Sequence, residues 1–243
     1  LYGGGQRGRL SNNSENEKGN ANISIGNKGK QAIIKGFLRG SGQYEGLDGE
    51  SNINISEGAK ILQNAQVAAG GYQGNVSRST LNITGGEINT DIYGGGWGII
   101  GDTSKGQVGN TNISVLNTKI NGDIYGGGYA GTANATTIYL ENSSAKNVYG
   151  GGNEAKVSTN TNIRIKDSNI SENIYGGGKG LTAIVQNNSD VIIEGTTNIK
   201  QNVFGGGNNA STGTKNSNSK CSIYIYGGTI NEDVYGGANK AVI

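Results

Sequence analysis

Apolar side chains along this chain fall in pairs two residues apart, then a lone isoleucine, then a recurring word: Ile or Val, an aromatic, and three glycines. The pairs include Leu81 and Ile83, Ile113 and Val115, Ile138 and Leu140, Ile163 and Ile165, and Ile223 and Ile225. A spacing of two is the strand period, with alternate side chains turned to opposite faces. The lone isoleucines are Ile88, Ile120, Ile170, Ile199 and Ile230. Just ahead of the aromatic word stands Asp or Asn, at Asp91, Asp123, Asn147, Asn173, Asn202 and Asp233. No stretch sustains the i, i+3, i+4, i+7 spacing of a helix, so short strands and turns are predicted throughout.

The aromatic word is the register of a repeat, and a repeat decides the fold class before local propensity does. Counted on its aromatic position it falls at residues 2, 37, 68, 93, 125, 149, 175, 204 and 235, with two degenerate copies at Gly36-Phe37 and Val67-Ala68. The units are 24 to 35 residues long. A 24-residue unit is too short for the four-stranded blade of a propeller but ample for one turn of three short strands and three bends. The predicted fold is therefore all-β: a single parallel β-solenoid over residues 1–243, with about nine coils, near 40 Å long at about 4.8 Å per coil. In such a stack the Ile and Val positions become interior columns. The glycines meet a corner that needs positive φ or close backbone approach, and the Asn/Asp positions suit a ladder at a bend.

Composition narrows the chemistry. Glycine takes 46 of 243 residues, and there is no Pro, His or Met. The absence of proline suits a chain in which nearly every N–H is wanted for pairing between coils. Without histidine there are no His-based nucleophile pairs or His metal sites, and the single Cys221 makes neither an internal disulfide nor a cysteine zinc site. Twenty basic residues against 18 acidic ones give +2, spread along the chain. Nucleic acid is therefore not an expected partner, and no apolar run is long enough for membrane insertion as a helix. No cofactor and no metal are expected.

The T-N-I-x-I … I-x-x-[DN]-[IV]-Y-G-G-G units resemble the β-helix repeats of bacterial secreted and cell-surface proteins, including adhesins and autotransporter passenger domains. The resemblance is one of repeat style and covers essentially the whole chain. It implies a right-handed β-helix, an extracellular or cell-surface address, and a role in adhesion or as a stalk. Because many β-helices cleave polysaccharides, the resemblance does not choose between enzyme and scaffold.

Several residues are candidates for chemistry. If the Ile or Val before each aromatic is interior, alternation turns the ring outward. Tyr93, Tyr125, Tyr149 and Tyr175, widened by Trp97 and Tyr129, then form a stripe able to stack on sugar rings. The competing reading, the weightier one, is that the rings stack on one another and cover the glycine corner. Asp91 and Asp123 fall at one register in adjacent coils, which suits a turn ladder better than a catalytic pair or a cation site. Gly96 to Gly101 spells G-x-G-x-x-G, but no helix opens at its third glycine, so it is a chance match. Thr80, Thr111 and Thr161 recur singly, unlike the paired threonines of an ice-binding face. Cys221 reads as a small, partly buried residue.

The segment from Phe37 to Glu50, with Arg39, Glu45, Asp48 and Glu50, is the one place where charged residues gather as an enzyme would need. Polar insertions at Ser11 to Gly19 and Ser211 to Lys220 read as loops. The register motif at both ends predicts an excerpt of a longer array, or else a subunit that continues coil to coil with its neighbours by end-to-end self-association. The expected function is a non-enzymatic, rigid stalk or adhesin module, with a glycan or host-surface ligand as its partner. The alternative is a carbohydrate-binding or polysaccharide-cleaving β-helix that uses an exposed tyrosine stripe.

Overall fold

The computed structural model describes residues 1–5, 19–47, 49–214 and 218–241. Most of the Ser11 to Gly19 loop, part of the Ser211 to Lys220 loop, and Asp48 lie outside the described residues. The predicted parallel β-solenoid is the fold, and every pairing between its strands is parallel.

Each turn presents three strand-bearing faces. The long-strand face is an eight-stranded sheet running from Ala21–Ile25 and Glu50–Ile55 to Ser189–Glu194 and Cys221–Ile225. A second face carries shorter strands such as Ala32–Ile34, Ala59–Ile61, Asn169–Ile170 and Asn198–Ile199. It forms sheets of three and four strands, which single bridges at Ile88–Ile120 and Lys119–Ser144 join. The aromatic face is again eight-stranded, from Phe37–Arg39 through Ile124–Tyr125 to Val234–Tyr235. Eight turns at about 4.8 Å each make a rod about 35 Å long. Tyr2, the first register position, joins by a single bridge.

Parallel, in-register pairing puts like over like. Ile53, Leu81, Ile113, Ile138, Ile163 and Val191 form one interior column, and Val67, Ile92, Ile124, Val148, Ile174 and Val203 another. All are buried and belong to one continuous core. Alternation along the long strands leaves Asn, Ser and Thr on the outer side. There Asn52 donates to Asn22 at 3.1 Å and Asn82 to Asn54 at 3.0 Å.

Pairing corrects one assignment of register. Phe37 does not sit under the aromatic column: it pairs with Gln66, while Arg39 pairs with Ala68, which in turn pairs with Tyr93. The column therefore reads Tyr2, Arg39, Ala68, Tyr93, Tyr125, Tyr149, Tyr175, Phe204 and Tyr235. The interior demand decides the matter. Leu38 must enter the core beneath Val67, which leaves Phe37 49 % exposed.

Candidate functional site

The aromatic column lies on the far side of its strands from the isoleucine core. Ile124 enters that core while Tyr125 points the other way, as alternation requires. That other side is not solvent. After each triple glycine the chain folds back over the rings, and Tyr93, Tyr125, Tyr149, Tyr175 and Phe204 are all buried. The rings stack on one another, the weightier of the two sequence readings, and the other, an outward sugar-facing stripe, is corrected. The rings lie face to face with centroids 4.8 or 4.9 Å apart and planes within 5°, from Tyr93 to Phe204. Faces occupied in this way are closed to a sugar ring. Trp97 and Tyr129, each four residues past a register tyrosine, are half-buried and stack on each other at 4.3 Å.

The covering layer is itself a column: Trp97, Tyr129, Asn153, Lys179, Asn208 and Asn239. Backbone bridges join Lys179 to Asn208 and Asn208 to Asn239. Four of the register tyrosines reach the covering residue two turns further along. Tyr93 reaches Asn153, Tyr149 reaches Asn208, and Tyr175 reaches Asn239. Lys179 Nζ donates to the Tyr125 hydroxyl at 3.1 Å. Where Arg39 replaces the ring, its guanidinium likewise spans two turns and lies 4.5 Å over Trp97. Burial is the main cause that holds the phenols of Tyr93, Tyr125 and Tyr149 well above their ordinary range, and it raises that of Tyr175 too.

The Asn/Asp positions form the ladder the repeat suggested, with a definite chemistry. The Oδ1 of Asp91 accepts the backbone N–H of Asp123 at 2.8 Å. Asp123 accepts from Asn147 at 3.2 Å, Asn147 from Asn173 at 2.9 Å, Asn173 from Asn202 at 3.0 Å, and Asn202 from Asp233 at 3.0 Å. The second carboxylate oxygen of Asp123 accepts from Tyr125 at 3.1 Å and lies 3.8 Å from Lys179 Nζ. Asp91 is pushed above the usual carboxylate range, chiefly by burial, with Asp123 adding repulsion. The acidic rung, Asp91 and Asp123, is thus answered by hydrogen bonds and one ammonium rather than turned into a cleft. Arg39, Glu45 and Glu50 do not converge either. Arg39 is buried in the aromatic column, Glu45 is exposed at a bend, and Glu50 lies 3.6 Å from Arg78 on the long-strand face.

Sequence reasoning missed a row of buried hydroxyls. Ser51, Ser79, Thr111, Thr136, Thr161 and Ser189 each donate to the carbonyl of the residue just past their own turn's aromatic position, at 2.5–2.6 Å. Cys221 occupies the same row, paired with Ser189. The signal was present as a Ser or Thr two residues before the first apolar residue of each pair. Thr80, one residue off, is on the outer side. A second row, Thr118, Ser143, Ser168 and Thr197, caps the bend after the long strands: Ser168 Oγ accepts the Ser143 N–H at 3.0 Å. The bend turns through left-handed Asn117, Asn142 and Asp167, residue types that tolerate that conformation.

Fold and site together define the class: a parallel β-solenoid with a closed aromatic column beside its apolar core. No family model, curated protein or solved structure matches the chain.

Proposed function

We propose that this chain is a non-enzymatic, load-bearing rod of a secreted or cell-surface bacterial protein, a stalk or adhesin segment. One observation carries the reading. The recurring groups that could do chemistry are spent inside the stack: rings on rings and Oδ1 on the next turn's N–H join turn to turn, and the buried hydroxyls close each turn on one of its own carbonyls. Such a molecule offers length and stiffness, because each turn is tied to its neighbours by backbone ladders and by the ring column and the Asn/Asp ladder. The extracellular address and the adhesive role rest on the likeness of repeat style to surface β-helices.

The test is to pull the chain between its two ends in a single-molecule force experiment, alongside digestion assays on a polysaccharide panel. Extension in discrete steps of about one turn, with no new reducing or unsaturated ends released, is the expected result. Smooth yielding at low force, or cleavage of any polysaccharide, would sink the proposal.

A further inference from the structure

Two adjoining hollows of about 710 and 750 Å³ run along the outer side of the second face and meet at Asn121. Lys35, Lys60, Lys119, Lys146 and Lys200 line them against two carboxylates, Glu87 and Glu172. Five positive and two negative side chains leave +3, more than the +2 of the whole chain. Lys60 meets Glu87 at 2.8 Å and Lys146 meets Glu172 at 3.5 Å. Lys35, Lys119 and Lys200 are exposed and have no carboxylate partner among the described residues. Lys35 to Lys119 and Lys119 to Lys200 are each three turns, about 14 Å along the axis at the spacing of stacked strands. Between them Asn121, Ser144 and Asn169 offer amide and hydroxyl groups, with Asn89 held between Glu87 and Asn121 at 2.8 and 2.7 Å.

We infer that this groove binds a linear acidic polysaccharide, one carrying carboxylates at intervals along a chain otherwise rich in hydroxyls. The unpaired ammonium groups meet the carboxylates, and the amide and hydroxyl rows meet the sugar hydroxyls. The straight, repeating wall of a solenoid suits an equally straight, repeating polymer. No aromatic side chain lines either hollow, so the stacking platform that single-stranded nucleic acid uses is missing. This inference names a ligand for the adhesive half of the function proposed above and rests on it. Mechanical strength of the rod does not depend on the groove, so the two can fail separately.

The experiment measures binding of the whole chain to polygalacturonate, to neutral dextran and to inorganic polyphosphate at low and high salt. It is repeated with the triple variant Lys35→Gln, Lys119→Gln, Lys200→Gln and with a control, Lys105→Gln and Lys156→Gln, whose lysines lie outside both hollows. Circular dichroism and melting confirm that each variant keeps its fold. The expected result is salt-sensitive binding to polygalacturonate and not to dextran, weakened about tenfold or more in the triple variant and unchanged in the control. No binding to polygalacturonate, equal loss in the control, or polyphosphate bound as tightly through the same lysines would each overturn it.

Discussion

At Asp91 the aromatic column and the Asn/Asp ladder impose opposite demands. Its Oδ1 serves the next turn's N–H, which asparagine would do equally well, as Asn147 and Asn173 show. Its charge serves nothing comparable, and burial raises its pKa. A carboxyl whose folded pKa lies above its unfolded value, near 3.9, favours folding most at low pH. That increment is lost as pH rises from the unfolded value through the raised folded one, so at neutral pH the fold carries the cost of an ionised Asp91. Asp91→Asn is therefore expected to stabilise at pH 7 by less than about 1 kcal/mol, discounted because the group is part-exposed. Denaturant melts at pH 7 and pH 3 check it: the gain should vanish at the lower pH.

Among the elements, the triple-glycine corner shows how much a sequence can disclose and where it stops. Three glycines at one register announced a corner, and two explanations were open, positive φ or close approach. The structure selects close approach: left-handed glycines occur elsewhere, but none belongs to the repeated corner. A Cβ on Gly150 would run into the carbonyl of Gly176 in the next turn and touch Thr161, whereas at Gly36, outside the repeated corner, it would meet nothing. Gly150→Ala is expected to cost about 3 kcal/mol and Gly36→Ala almost nothing, as chemical denaturation of the two variants would show. The strands and the apolar columns were legible because burial imprints a period of two on the residues that make it. The stacking of the rings was legible as the weightier of two readings, but the roof over them was not, because alternation says only which side of the strand a ring takes. Whether that side is roofed depends on the return path of the chain after the glycines, where Asn153, Asn208 and Asn239 look like ordinary loop residues. The displacement from Phe37 to Arg39 was hidden for a related reason. A motif search follows the ring, while the fold follows the buried Leu38.

Taken whole, the rod concentrates its response to alkali in the aromatic column. Tyrosines of an unfolded chain ionise near pH 10, whereas Tyr93, Tyr125, Tyr149 and Tyr175 hold their protons beyond that. Above pH 10 the unfolded state binds fewer protons than the folded one, so stability must fall. Arg39, depressed to about 10 chiefly by burial, acts in the opposite sense, one group against four. An absorbance titration should show exposed tyrosines ionising first. The buried rings should then ionise together, in one step with the loss of the β-sheet circular dichroism signal. Gradual ionisation of all twelve tyrosines with the fold intact would contradict the buried column.

A stack of near-identical turns carries a hazard that a heterogeneous domain escapes: a turn laid down one place too early finds almost the same neighbours. The interruption at Arg39 and Ala68, roofed by Trp97 from two turns on, is unlike any other rung. A misthreaded chain would bury that arginine against a tyrosine-sized gap or leave the one tryptophan without its cation. The flaw in the column is thus its landmark, the place from which the remaining turns can be counted correctly.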